Sequence, residues 1–182
     1  MNALVQFEGS ILLWIQENLR GFLDAPMRII TTLGNTGIFW IVLTVLLLIF
    51  KKTRKPALNA ALSMILALLA VNIIIKPLVG RIRPYEVIEG LSILVAKESE
   101  FSFPSGHASN SLSCAWVLFR MLPKKYGVPA LVLAILIALS RLYVGVHYPT
   151  DVICGAIIGV VLAELAMWIC GRIEGAWKKK KA

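Results

Sequence analysis

Long apolar runs separated by short polar breaks set the rhythm of this chain. Ile29 to Phe50 gives 22 residues without a charge, and a helix needs about 20 predominantly apolar residues to cross the hydrocarbon of a bilayer. Ala57 to Ile75, Val128 to Val146 and Val152 to Gly171 follow, the last two interrupted by Arg141 and Glu164. Ala108 to Phe119 is shorter and carries Ser109, Asn110, Ser111 and Ser113, but the wider stretch Phe103 to Leu122 reaches spanning length. The pattern predicts an all-α fold, a polytopic membrane helix bundle of five transmembrane helices.

The start of the chain differs in kind. Leu4, Phe7, Ile11, Leu12, Trp14, Ile15 and Leu19 recur at helical spacing while Glu8, Gln16, Glu17 and Arg20 interrupt them. Residues 3 to 20 therefore read as an amphipathic interfacial helix inside an N-terminal segment of residues 1–25. A sixth span over the same residues is the alternative. The stretch lacks the basic leader of a secretory signal peptide, and Asp24, Pro26 and Gly34 break the pattern before the first span.

Composition agrees with a bilayer as solvent. The 182 residues are 58% hydrophobic, their mean hydropathy is +0.80, and the length suits a single domain over 1–182. The net charge of +9 is parcelled into Lys51, Lys52, Arg54 and Lys55, then Arg120, Lys124 and Lys125, then Lys178 to Lys181. These runs follow the first, third and fifth predicted spans, so all three lie on one side, which the positive-inside rule makes cytoplasmic. Their partners are anionic headgroups rather than nucleic acid. Cys114, Cys154 and Cys170 fall inside predicted spans without CxxC spacing, which points to packing and not to a metal site or a disulfide framework. Gly155 and Gly159 form a GxxxG step suited to close helix approach, within the molecule or, as the rarer use, between two copies.

Three short stretches hold the polar residues that apolar packing does not explain. Lys76 to Pro84 (KPLVGRIRP) puts Lys76 and Arg83 seven residues apart, two helical turns if the helix continues past Pro77 and Gly80. As isolated residues Lys76, Arg81 and Arg83 would be interfacial anchors. They lie on the outer side, however, against the positive-inside bias, so an anion is expected there. Pro104 to His107 (PSGH) opens the third span, with Ser105 as its N-cap and Gly106 allowing close backbone approach, so the helix start and His107 can face that anion. Ser140 to Asp151 (SRLYVGVHYPTD) places Arg141 inside a span, where a charge usually faces the protein interior or a wet cavity. Asp151 lies four residues after His147, near enough to orient one imidazole nitrogen and leave the other free to attack.

Three of these cations, Lys76, Arg83 and Arg141, with two histidines and one carboxylate suit phosphoryl transfer without a metal or other cofactor. The full pattern K-x6-RP, PSGH, SR-x5-H-x3-D, met by Lys76, Arg83, Pro84, Pro104 to His107, Ser140, Arg141, His147 and Asp151, resembles the type 2 phosphatidic acid phosphatase (PAP2) superfamily. That superfamily includes membrane lipid phosphatases, soluble bacterial acid phosphatases and vanadium haloperoxidases. The resemblance covers residues 76–151 and implies a helical core with Lys76, Arg83, Ser105, Gly106 and Arg141 as phosphate ligands. It implies His147 as nucleophile, Asp151 as its orienter, His107 as general acid and a phosphohistidine intermediate.

Within that reading the substrate is a lipid phosphate or diphosphate presented at the outer face of a bacterial inner membrane, with Tyr85, Phe101 and Phe103 as candidate linings of an entrance. Undecaprenyl diphosphate is favoured because that carrier is recycled on the outer face; phosphatidylglycerophosphate and phosphatidic acid are the alternatives. The rival class is a non-enzymatic membrane transporter, which Glu164 alone favours: it lies 13 residues beyond Asp151, about 20 Å along a helix, too deep for the phosphate site.

Overall fold

The computed structural model describes residues 3–181, and among them there is no strand. The helices are α1 (Ala3–Leu19), α2 (Asp24–Leu33), α3 (Ile38–Ile49), α4 (Arg54–Ala67), α5 (Lys76–Val79), α6 (Pro84–Val87), α7 (Gly106–Met121), α8 (Lys124–Tyr143) and α9 (Pro149–Lys181). A π-helical stretch, Leu68–Ile75, joins α4 to α5 without a break, and a 3-10 turn, Asn35–Gly37, separates α2 from α3.

The all-helical expectation holds, but the count of spans is smaller than the apolar runs suggest. Among the described residues, three helical segments are long and apolar enough to cross a membrane: Arg54–Val87, Lys124–Tyr143 and Pro149–Trp177. The first predicted span is bent. Thr36 and Gly37 take left-handed conformations (φ +52° and +69°), and the chain turns by 45° between Asp24–Leu33 and Asn35–Ile49. Counted as one, that bent pair makes a fourth span. The predicted third span becomes α7, 16 residues long, short of the length that hydrocarbon requires. Nor does α1 qualify as a sixth.

The composition of α7 follows from its place. It packs against α4, α8 and α9, with Ala108, Ser109, Ser111, Leu112, Ser113, Cys114, Ala115, Val117 and Leu118 buried. Small side chains let neighbouring backbones approach. Gly155 and Gly159 of α9 use that room, since a Cβ on either would come within 2.6 Å of the Ser105 or 2.4 Å of the Ser109 carbonyl oxygen. The GxxxG step is thus a seam inside the molecule. The serines that lower the hydropathy of α7 are satisfied locally: Ser109 and Ser113 donate to the carbonyls three residues back, and Ser111 accepts from Trp40 Nε1 at 2.9 Å. Each is a buried hydroxyl that would otherwise be costly.

The helix α1 reverses the expectation for an amphipathic interfacial segment. Its acidic Glu8 is buried with Gly9 and Leu12, while Leu4, Phe7 and Trp14 are more than half exposed. Apolar side chains thus lie on both faces, and the carboxylate lies inward because Glu8 has cationic and hydroxyl partners in the interior. Glu164 is also accounted for by structure: it accepts from Trp116 Nε1 at 2.7 Å and pairs with Arg120. At the same end Lys55 pairs with Glu174 at 2.5 Å. The opposite end of the bundle carries the three motifs.

Candidate active site

Lys76 sits at the end of the π-helical stretch and the start of α5, where the chain is wound differently from a regular helix; such stretches recur at functional positions. Gly80, at φ +60°, ends α5, and Arg83 is in extended backbone before α6. The two-turn spacing of Lys76 and Arg83 is therefore not a continuous helix. The turn at Gly80 brings Arg83 back instead, to donate to the Val146 carbonyl at 2.9 Å and lie 3.4 Å from His147 Nε2.

Ser105 caps α7 as expected, its hydroxyl accepting from the Ala108 amide at 3.4 Å. Its own amide donates to the Asp151 carbonyl at 2.9 Å, so it ties α7 to α9 rather than facing the cavity. Gly106 lines the cavity: a Cβ there would stand 3.1 Å from Asn72 Oδ1 and 3.7 Å from Lys76 Nζ. His107 lines the same cavity, and its Nε2 meets Asn35 Oδ1 at 3.0 Å.

Arg141 ends α8 and is buried. His147 and Asp151 are buried at the junction of α8 and α9. Asp151 Oδ2 faces His147 Nδ1 at 3.4 Å and accepts from Ser102 Oγ at 2.5 Å and the Tyr148 amide at 2.9 Å. That geometry turns His147 Nε2 toward the cations. Burial pushes the His147 imidazole down to about 4; the Asp151 hydrogen bond works the other way, and the Arg141 and Arg83 charges add to the lowering. A buried neutral imidazole with one nitrogen held by a carboxylate is a nucleophile or base in waiting.

The structure thus brings Lys76, Arg83, Gly106, His107, Arg141, His147 and Asp151 to one end of the bundle. Three features were not read from the sequence. The first is a pair of carboxylates from the connection between α6 and α7: Glu98 bridges Arg141 and Arg83, the latter at 2.6 Å, and Glu100 pairs with Lys76. Burial opposes the charge of Glu98, but the two guanidiniums outweigh it and hold the acid down at about 2. Three cations therefore face two anions, and the buried Arg141 Nε has no hydrogen-bond partner among the described residues. The second is Asn35. The third is the placement of Arg81: grouped in the sequence with Lys76 and Arg83, it donates instead to Asp151 Oδ1 at 2.6 Å. The acidic pair Glu98 and Glu100 beside Lys97 was the sequence signal for the first; a lone asparagine between Gly34 and Thr36 gave none for the second.

The cavity between these groups holds about 380 Å³ and is bounded by Lys76, Glu98, Glu100, His107 and His147. A second, apolar groove of about 260 Å³ runs between α3 and α4 past Ile41, Val45, Met64 and Ile65. Thr36, Leu68 and Asn110 border both. Tyr85, Phe101 and Phe103 line neither; Tyr85 instead hydrogen-bonds the Glu98 backbone.

Residues 56–173 match the family model of the PAP2 superfamily. The chain belongs to that superfamily. It is 32% identical over 165 residues to an undecaprenyl-diphosphatase of Sulfolobus acidocaldarius, covering 91% of this chain and 79% of the relative. It is 30% identical over 176 residues to a decaprenylphosphoryl-5-phosphoribose phosphatase of Mycobacterium tuberculosis, covering 94% and 96%. Among solved structures it resembles a transmembrane PAP2-type phosphatidylglycerolphosphate phosphatase from Bacillus subtilis, with a TM-score of 0.76 and 29% identity over 95% of this chain and 89% of that one. Family and relatives make the chain a membrane-embedded phosphatase, a hydrolase of phosphate esters or anhydrides.

Proposed function

We propose that this protein is a single-domain membrane lipid phosphatase whose reaction runs through His147. His147 Nε2 attacks phosphorus, and the bond from phosphorus to the departing oxygen breaks as His107 delivers a proton to that oxygen. Lys76, Arg83 and Arg141 stabilise the equatorial oxygens, helped by the first-turn amides at Gly106. Asp151 orients the imidazole. Water, deprotonated by His107, then cleaves the phosphohistidine and releases inorganic phosphate. The observation that carries this reading is the excess of buried cation around His147 Nε2, with the unpartnered Arg141 Nε among it.

The lipid character of the substrate is supported by the apolar groove that meets the polar cavity at Thr36, Leu68 and Asn110: it suits a chain left in hydrocarbon while the phosphate enters. In this reading α7 and the bent α2–α3 pair join the three long spans to make five crossings, and the basic runs set the site at the outer face of a bacterial inner membrane. Undecaprenyl diphosphate is the preferred substrate. Two of the relatives above are named for polyprenyl phosphates, whereas the solved structure is named for phosphatidylglycerolphosphate. Glu164, the feature that favoured a transporter, is satisfied by Arg120 and Trp116.

The test is phosphate release by purified protein in detergent from undecaprenyl diphosphate, phosphatidylglycerophosphate and phosphatidic acid, in excess EDTA. Release that is lost in His147→Ala supports the phosphatase, and the ranking assigns the lipid. No release from any of the three, or equal release from His147→Ala, overturns it.

A further inference from the structure

Behind the catalytic carboxylate lies a second carboxylate that the proposed chemistry does not use. Glu8 is buried, and so is Asp151; Arg81 lies between them, donating to Glu8 Oε2 at 2.5 Å and to Asp151 Oδ1 at 2.6 Å. The other Glu8 oxygen accepts from the Thr150 amide at 2.8 Å and the Thr150 hydroxyl at 2.7 Å, in the first turn of α9. Arg81 also donates to Thr150 Oγ1 at 2.7 Å and stacks over the Tyr148 ring at 3.8 Å. The N-terminal helix thus reaches into the His147–Asp151 turn, at Thr150 directly and at Tyr148 and Asp151 through Arg81.

We propose, on the reading that His147 is the nucleophile, that Glu8 is a positioning residue of the active site, acting through Arg81 on Asp151. The charge balance gives the reason. Arg81 alone against Asp151 would leave the pair neutral, and a neutral pair gives little help to the positive charge that grows on His147 as it attacks. With Glu8 present, the three groups carry a net charge of −1. The remaining charged and titratable groups around His147 are Arg83, Arg141, Glu98 and His107; Tyr148 is the other titratable group near Glu8. Glu8 also holds the first turn of α9 through Thr150, so the same side chain fixes where Asp151 sits.

The test compares Glu8→Gln, Glu8→Asp and the double variant Glu8→Gln/Arg81→Gln in purified protein, alongside His147→Ala. Glu8→Gln removes the charge and is expected to lower kcat about tenfold or more, with KM within about twofold. Its acid limb in kcat/KM moves to lower pH, because loss of a negative charge makes the His147 imidazolium less stable. Glu8→Asp recovers most of the rate. The double variant restores the net charge of −1, carried by Asp151, and so recovers both rate and acid limb relative to Glu8→Gln. The chain has two histidines, so ¹⁵N-imidazole titration follows His147 directly, whatever the turnover.

A residue that merely docks α1 predicts the opposite: the double variant is worse than the single, and the His147 titration stays where it was. Either result overturns the proposal, as does a Glu8→Gln enzyme with unchanged kcat. Failure of the phosphatase reading is separate, since it shows as turnover in the unaltered protein no greater than in His147→Ala.

Discussion

The two imidazoles of the site are held by partners of opposite kind. His147 is buried, with a carboxylate at 3.4 Å from Nδ1 and an arginine and a further carboxylate behind that. His107 is partly exposed to the cavity, and its Nε2 meets a neutral amide oxygen, Asn35 Oδ1, at 3.0 Å. A carboxylate stabilises the positive charge of an attacking imidazole, as a nucleophile needs. An amide fixes the ring without favouring either charge state strongly, as suits a group that must give a proton in one step and take one in the next. In the proposed mechanism the two roles are thus separated by the charge of the orienter and not by the identity of the base.

The largest effect that sharpens this contrast is loss of the nucleophile. His147→Ala should lower turnover by about 10⁴-fold or more with every substrate, while the helical content and detergent-soluble yield stay as they were, since no packing element is removed. His107→Ala should be as severe with a lipid phosphate but much milder with an aryl phosphate, whose leaving group departs without a proton, when the first half-reaction is followed alone. Equal losses of that first step in both variants on the aryl ester would erase the distinction.

Asp151→Asn comes next, with an expected loss of about 10²- to 10³-fold, because the attacking atom survives while its orienter and counter-charge do not. The pH profile carries the sign. Burial sets His147 at about 4 against the opposing pull of Asp151, so removing the carboxylate lowers the imidazole further. The acid limb of kcat/KM should move to lower pH; a move to higher pH would show that Asp151 does not stabilise the imidazolium.

Asn35→Ala tests the neutral side and should cost less, about tenfold in kcat with KM nearly unchanged, since one neutral hydrogen bond is lost and the base itself remains. The measurement is again the comparison of leaving groups. A loss that is the same for lipid and aryl phosphates would mean that Asn35 supports the bend between α2 and α3 rather than His107.

What could be read from the sequence divides along the same line. The motif residues were legible because they are unusual where they lie: Arg141 inside a long apolar run, basic Lys76 and Arg83 apart from the juxtamembrane basic runs, and His147 and Asp151 four residues apart. Their partners were not. Asn35 stands in a break, where asparagine is common for conformational reasons alone, and Glu8 lies in an amphipathic pattern whose polar face would ordinarily meet water. Their roles depend on where α1 and the bend before α3 pack, which is tertiary information. The span count was legible only in part, for a related reason. Hydropathy measures preference for lipid, but α7 is surrounded by protein, so its serines satisfied by carbonyls and by Trp40 say nothing about membrane depth. The same logic explains Glu164, whose partners Arg120 and Trp116 lie on α7, four residues apart and on one face.

The smallest expected effect concerns the anions that already occupy the cation cluster. Glu98 neutralises part of the charge of Arg83 and Arg141, and Glu100 part of that of Lys76, so an incoming phosphate must displace carboxylates before it gains the cations. Glu98→Gln raises the net charge of the three cations and two acids from +1 to +2, and inhibition by vanadate or inorganic phosphate should tighten several-fold, about 1 kcal/mol. Because the guanidiniums hold Glu98 at about 2, it stays ionised from pH 5 to 8 and the difference between the two proteins should be constant across that range. Weaker anion inhibition in Glu98→Gln would show instead that Glu98 holds Arg83 and Arg141 in register for phosphate, and that its contribution to order exceeds its competition for charge.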